Sequence, residues 1–335
     1  MAMFFPVLAI ALSLCISNVD AATSLPQPVK LEWHYYKVHN ICHDAEVYIR
    51  HQVELMMKTD KYITAKLLRL AYSDCFVSGC DASILLDGPD SEKTAPQNRG
   101  LGGFVVIDKI KTVLESRCKG KVSCADILQL ATRDAVHMAG GPSYPVFTGR
   151  RDGMTSKASS VDLPSPSISW QNALKYFKSR GLDVLDMVTL LGAHSIGKTH
   201  CRQVEDRLYN NNNTLGPSMN ATSLAEMRKL CPPRVRKGQS DLLVFLNPES
   251  GSSYKLTKSY YSRILTHEAV LGIDQQLLLG EDTKTITQEF AADFEDFRKS
   301  LALSMSRMGS ISVLTGQQGE IRENCQVTNA NLHKY

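Results

Sequence analysis

Apolar residues recur at three-and-four spacing over residues 44–58, 63–74, 104–117, 123–138, 169–180, 183–191 and 287–308. That period predicts amphipathic helices, each burying one face. Several ends are legible. Ser123 is placed to N-cap CADILQLATRDAVHM, and Gly140-Gly141-Pro142 to end it. Gly181 closes KYFKSR, and Leu182-Asp183 opens the next helix. The last long helix, FAADFEDFRKSLALSMSRMG, stops at Gly309. Alternating Val, Ile and Thr runs are scarce. Pro164, Pro166 and the polar stretch 209–222 mark loops. The pattern predicts an all-α fold with small hairpins at most. It shows no internal repeat, low-complexity tract or interdomain linker.

The N-terminus departs from this pattern. MAMFFPVLAIALSLCISNVDAATS is an apolar run followed by Val19-Asp20-Ala21, a small-residue cleavage pattern, although no Lys or Arg precedes it. Residues 1–21 read as a secretory signal peptide. The run is shorter than the roughly 20 residues a spanning helix needs, and no later segment is long and apolar enough. Residues 22–335 then form one domain, large enough to bury a substantial core.

Removing the leader changes two counts. The chain has nine Cys and a net charge of +4. Without Cys15 and Asp20 these become eight Cys and +5. An even number of Cys in an exported chain implies disulfides, although spacing alone leaves about 105 pairings open. No CxxC repeat suggests zinc. The mild positive charge permits loose attraction to acidic polysaccharide or membrane surfaces and gives no case for nucleic acid. Asn212-Asn213-Thr214 and Asn220-Ala221-Thr222 are glycosylation sequons.

Two segments carry candidate chemistry. In LRLAYSDCFVSGCDAS, residues 68–83, Arg69 and Ser73 lie four apart and share a helix face, with the look of a buried pair. Asp74, Asp81 and Ser83, with the carbonyls of Val77 and Gly79, would form an oxygen cage suited to Ca²⁺. Taken alone, they equally describe a capped helix end with a solvated loop. In DMVTLLGAHSIGKTHC, residues 186–201, His194 follows Gly192-Ala193 on an apolar helix. Such an imidazole can ligate a haem iron, though a lone His there is more often a satisfied core residue.

Together the segments resemble the class III secretory plant peroxidases, over residues 41–326. The motifs SDCFVSGCDASILLD, SEKTAPQN, GGFVVIDKIK, VSCADIL, GRRDG, DLPSPS and LLGAHSIGKTHC match in order. The resemblance implies disulfides Cys42–Cys118, Cys75–Cys80, Cys124–Cys325 and Cys201–Cys231. It implies haem b ligated by His194, with Asp274 as hydrogen-bond partner of the ligand's other ring nitrogen. Arg69 and Asn98 would be the distal arginine and asparagine, Pro164 a donor-site residue, and Asp126–Arg150 a structural ion pair. Asp74, Val77, Gly79, Asp81 and Ser83 would hold a distal Ca²⁺. The expected protein is a secreted, extracellular monomer that reduces H₂O₂ and oxidises small phenols, the vacuole being the weaker address.

The chain departs from the family pattern in ways that matter. Where the family writes Arg-Leu-His-Phe-His-Asp-Cys, this chain writes Arg69-Leu70-Ala71-Tyr72-Ser73-Asp74-Cys75. Ser73 stands at the position of the catalytic His. A hydroxyl is far too weak a base for the proton transfer that an imidazole of pKa about 6.5 performs near neutrality. No His occurs between His51 and His137, leaving Tyr72 or a Ser73-held water as the local relays. Ser73 sits in no nucleophile-elbow pattern, so a serine hydrolase is excluded. At the second calcium position Ser195 replaces a Thr. The loop FLNPESGSSYKLTKSYY is about two residues long for the family, and Asn247 and Thr257 fall where aspartates are expected. Glu249 and Ser252 complete that candidate set, which predicts a weak or absent second site. His43 for a Pro and Gly102 for an Arg are smaller departures. The reading is a peroxidase slow to activate peroxide. The alternative is a haem-binding protein without effective turnover, a ligand sensor or cell-wall partner, and Ser73 is the residue that divides the two.

Overall fold

The computed structural model describes residues 31–209, 218–233, 241–248 and 254–332. The expected leader 1–21, the sequon at Asn212, and Glu249 and Ser252 lie outside these residues. Among the described residues the architecture is helical, with two two-stranded antiparallel sheets. The helices are α1 Tyr35–Val38, α2 Ala45–Met57, α3 Ile63–Cys75, α4 Phe104–Glu115, α5 Cys124–Met138, α6 Trp170–Lys178 and α7 Val184–Leu191. There follow α8 Glu205–Tyr209, α9 Ala221–Leu230, α10 Ser259–Leu265, α11 Gly272–Gln276, α12 Glu281–Ala292 and α13 Phe294–Met308.

The periodic segments form helices because their apolar stripes find partners. In the first group α3 buries Leu67, Leu70 and Ala71 against α5, whose Ile127, Leu128, Leu130 and Ala131 are fully covered. α2 and α4 complete this layer. In the second group α7 packs on α6, α12 and α13, and α10 packs on α12. Phe297, Tyr261 and Phe290 form its aromatic centre, with ring centroids 5.1–5.7 Å apart.

The expected caps are present. The Ser123 hydroxyl accepts the Asp126 N–H. Asp183 and Asp186 form a reciprocal capping box at the head of α7, satisfying two of the donors a helix start leaves open.

Three expectations need correction. The strands are not hairpins: β1 Glu32–Trp33 pairs with β2 Phe147–Thr148, and β3 Lys198–His200 with β4 Leu243–Phe245. Each ladder ties together distant parts of the chain. The long C-terminal helix is two, divided at Asp293, whose backbone is extended and whose carboxylate accepts the Glu295 N–H. Asp competes for nearby backbone donors and so favours a cap over a helix interior. The polar stretch 209–222 also ends in structure. Asn220 caps α9 by accepting the Ser223 N–H, and its amide nitrogen donates to the Thr266 carbonyl at 3.0 Å and to Glu268 Oε1 at 3.3 Å. The nitrogen a glycan would join is therefore engaged in the fold.

Four disulfides join Cys42–Cys118, Cys75–Cys80, Cys124–Cys325 and Cys201–Cys231, the pairing the resemblance implies. The Asp126–Arg150 pair is buried, with a 2.7 Å contact and 0% and 2% side-chain exposure. Asp126 also accepts from the Tyr36 hydroxyl and the Gly149 N–H. Removing one partner of such a pair strands a buried charge. Asp126→Ala is expected to cost about 3–5 kcal/mol, read as a lowered midpoint in urea unfolding. An unchanged midpoint would show that the pair does not hold the fold.

Candidate active site

His194 is set by the end of α7. The helix ends at Leu191, as the periodicity over 183–191 predicts, and His194 sits in the 3-10 turn Gly192–Ser195 that follows. Gly192 is needed there for space: a Cβ would collide with the Tyr261 hydroxyl and stand 2.6 Å from Phe297 Cε2. The turn can therefore press into the aromatic centre of the second group. The Tyr261 hydroxyl donates to the Val188 carbonyl at 3.1 Å.

His194 Nδ1 lies 2.8 Å from Asp274 Oδ1. A carboxylate only accepts, so Nδ1 carries the hydrogen and Nε2 presents its lone pair. Asp274 is 2% exposed, whereas the imidazole keeps 30% of its surface. Burial disfavours the imidazolium, but the charge of Asp274 and its hydrogen bond prevail, and the ring's pKa is raised. Higher proton affinity means a more electron-rich Nε2. Tyr260 stands edge-on, its centroid 6.5 Å from the imidazole. Burial and Asp274 keep its phenol protonated. Arg207 on α8 is a buried neighbour that sequence reasoning missed. Burial draws its guanidinium down to about 10 against the pull of Asp274.

The candidate distal residues Arg69 and Ser73 lie on α3. Ser73 is 2% exposed and makes no side-chain hydrogen bond among the described residues. Arg69, one turn earlier, is exposed, so the expected buried pair is a buried Ser beside an accessible Arg. Its Nη2 donates to the carbonyls of Gln97 and Arg99, at 3.2 and 3.3 Å. This brackets Asn98. Asn98 Nδ2 donates to the Glu92 carbonyl at 2.8 Å, while its buried Oδ1 has no partner. The positive charge of Arg69 opposes protonation of the His194 ring, though less than Asp274 favours it. Tyr72 packs its ring 4.5 Å from Phe76. Burial raises the phenol's pKa, and so holds it neutral. Pro164 is half-buried on the loop after Val161, whose carbonyl accepts from Gln97 Nε2.

Behind Ser73, three carboxylates are buried together. Asp74 is 0%, Asp81 7% and Glu92 1% exposed. Burial, then Asp81 and Glu92, raise the Asp74 pKa. Burial also raises Asp81 and moves Glu92 up to about 7. Asp74 accepts from the Ala82 and Ile84 N–H groups, but both Glu92 oxygens and Ser83 Oγ are buried without partners. No three His, Cys, Asp or Glu side chains among the described residues converge on one metal position. A cation here would therefore rest on Asp74, Asp81, Ser83 and main-chain oxygens of Val77 and Gly79, with Glu92 behind. Concentrated buried charge and idle oxygens fit a hard ion.

The second candidate cage differs. Asn247 Nδ2 donates to Ser259 Oγ at 2.9 Å, which pairs with Thr257 Oγ1 at 2.7 Å. Ser195 is 1% exposed. Among the described residues this set holds amide and hydroxyl oxygens and no carboxylate.

A peroxidase family profile matches residues 49–293. The chain belongs to the plant haem peroxidase family, and it is a peroxidase. It is 69% identical over 332 residues to probable peroxidase 61 of Arabidopsis thaliana, covering 98% of each chain. To probable peroxidase 26 of the same plant it is 66% identical over 319 residues, covering 95% of each. To peroxidase 15 of Ipomoea batatas it is 38% identical over 340 residues, covering 98% of this chain and 100% of that one.

The two cages generate one expectation. Chelation should remove a single Ca²⁺ per chain, measured by elemental analysis, and Asp74→Asn should bind none. Restoring calcium to about 100 times its Kd should return about 2.7 kcal/mol of stability. Two ions per chain would overturn the neutral reading of the second cage.

Proposed function

We propose that this chain is a secreted haem peroxidase, ligated through His194, that activates H₂O₂ slowly and oxidises small phenols. The observation that carries the reading is a buried Ser73 one turn after Arg69 on α3, in a segment whose Asn98 Oδ1 acceptor is also buried and without a partner. No helix among the described residues is long and apolar enough to cross a membrane.

The residues fit a haem: an imidazole with a free Nε2, a buried carboxylate behind it, and a guanidinium across the crevice. When bound, haem supplies an iron that accepts oxidising equivalents from peroxide. Asp274 fixes the His194 tautomer and enriches its lone pair. Arg69, held by two main-chain carbonyls, offers a fixed positive charge to the departing oxygen and cannot serve as base. The remaining task is moving a proton from the inner to the outer peroxide oxygen. Ser73 cannot take that proton at neutral pH. Tyr72 is a poor substitute, since its phenol stays protonated and lies against Phe76. Asn98 Oδ1 has the character of an acceptor for an imidazole N–H that this chain does not supply. With the charge stabiliser kept and the base lost, the peroxide step is the slow one. The donor steps need only an accessible crevice edge, near Pro164. The nearest cation cage, Asp74 with Asp81, begins one residue after Ser73, and Ca²⁺ there would stiffen the end of α3.

Stopped-flow mixing of the haem-loaded protein with H₂O₂ tests this, with Ser73→His alongside. The starting Soret band reports haem. The variant should react about 10²–10⁴ times faster than the native chain. Equal rates would show that another group already performs the transfer.

A further inference from the structure

One cluster at the junction of the two helical groups takes no part in that cycle. Tyr62 is the N-cap of α3, two turns before Arg69. Lys198 opens β3, four residues after His194. The groups touch closely here. Gly197 has φ +98°, and a Cβ on it would stand 2.8 Å from Ala65 Cβ. The Tyr62 and Tyr254 hydroxyls are 3.2 Å apart, and their rings meet edge to face at 5.2 Å. Lys198 Nζ lies 5.1 Å from the Tyr62 centroid and 4.5 Å from that of Phe245. Lys61 Nζ lies 5.8 Å from the Tyr254 centroid. Both tyrosines are half-exposed.

Buried tyrosines are common in this chain, and burial drives their phenols toward the neutral form. Tyr62 behaves in the opposite way. The neighbouring Lys198 ammonium, then the Tyr254 hydroxyl, lower its pKa. A phenol biased toward its anion gives up an electron more readily. Its position joins the outer surface to α3 and to the strand that follows His194. A simple clasp between the groups would need only the ring packing, and Phe at 62 would serve it.

We propose that Tyr62, paired with Tyr254, is a surface oxidation site at which this peroxidase takes electrons from phenolic polymers bearing acidic groups, which Lys61 and Lys198 attract. The proposal rests on the haem peroxidase reading. In the first step Tyr62 passes one electron to the peroxide-oxidised centre and its phenolic proton to water. In the second, the Tyr62 phenoxyl takes a hydrogen atom from a polymer phenol, restoring the tyrosine and leaving a polymer phenoxyl. Without a donor, one H₂O₂ oxidises both tyrosines. A carbon–carbon bond forms between the rings, and two waters result.

The test treats the haem-loaded native chain and Ser73→His with H₂O₂, without donor, and maps peptides by mass spectrometry. A Tyr62–Tyr254 cross-link, lighter by two hydrogens and fluorescing as dityrosine, is expected. It should vanish in Tyr62→Phe and in Tyr254→Phe. With donors present, Tyr62→Phe should lower the ratio of lignosulfonate to guaiacol oxidation about tenfold, a barrier difference of about 1.4 kcal/mol. The advantage of lignosulfonate over a neutral synthetic lignin should fade with added salt. An unchanged ratio, or no cross-link while guaiacol is oxidised, overturns the proposal. Equal use of the neutral polymer overturns the role of the lysines. If neither chain oxidises guaiacol, the failure is that of the peroxidase reading itself.

Discussion

The Asp152 carboxylate is fully buried and accepts three main-chain N–H groups, those of Cys124, Ala125 and Arg322. Two belong to the first turn of α5, where helix donors lack partners and a negative charge is favoured. The third belongs to the C-terminal segment. Arg322, also fully buried, donates to the Ala82 carbonyl at 2.7 Å and the Cys325 carbonyl at 2.6 Å. One carboxylate and one guanidinium thus join the centre of the helical core, the chain's end and the loop carrying Asp81. The Cys124–Cys325 disulfide closes the same junction. Without this node the cage behind Ser73 would lack one wall, and α3 would lose the support at its C-terminal end.

That junction was only half visible in the sequence. GRRDG was legible as a motif, and Arg150 as a partner for Asp126. The neighbouring Asp152 gave no signal, because its partners are backbone groups from segments far apart in the chain. The helices show the same division. Those with a long apolar stripe, α2 to α7, could be read from periodicity. α8, α10 and α11 have five to seven residues, too few turns to establish a period against chance. α9 was hidden behind Asn220, a residue that reads as a loop or glycan site and works as a cap. The division at Asp293 was lost because apolar residues continue on both sides of it. Motif order named the candidate site residues, while the placing of His194 in a turn just past its helix, and the opposite exposures of Arg69 and Ser73, depend on packing that no local pattern encodes.

The surroundings of Ser73 hold one polar atom without a partner. A buried acceptor without a partner costs about 1–3 kcal/mol, and Asn98 Oδ1 is such an atom. Its nitrogen stays bonded to Glu92, so the amide cannot turn to satisfy the oxygen without losing that bond. Arg69 adds to this rigidity by gripping the carbonyls on either side. The loop therefore stays in a shape suited to orienting an imidazole, although the helix offers a hydroxyl. On the proposed reading one proton-transfer group is missing from a frame that is otherwise set, and a rate deficit is expected rather than a changed chemistry.

The two cages put the same physics to opposite ends. Behind Ser73, burying three carboxylates together raises the proton affinity of each, and only a cation or protonation can relieve the repulsion. That corner of the fold is then tied to metal supply and to pH. Beside His194, amide and hydroxyl groups close on one another, and the Asn247–Ser259–Thr257 chain carries no net charge to neutralise. Among the described residues of this set no carboxylate competes with Asp274 for the imidazole. The orientation of His194 depends instead on the Asp274 hydrogen bond and on the close approach that Gly192 permits. On the proposed reading, depletion of calcium should accordingly loosen the end of α3 while leaving the His194–Asp274 pair in place, so that peroxide handling and haem retention respond separately to the metal.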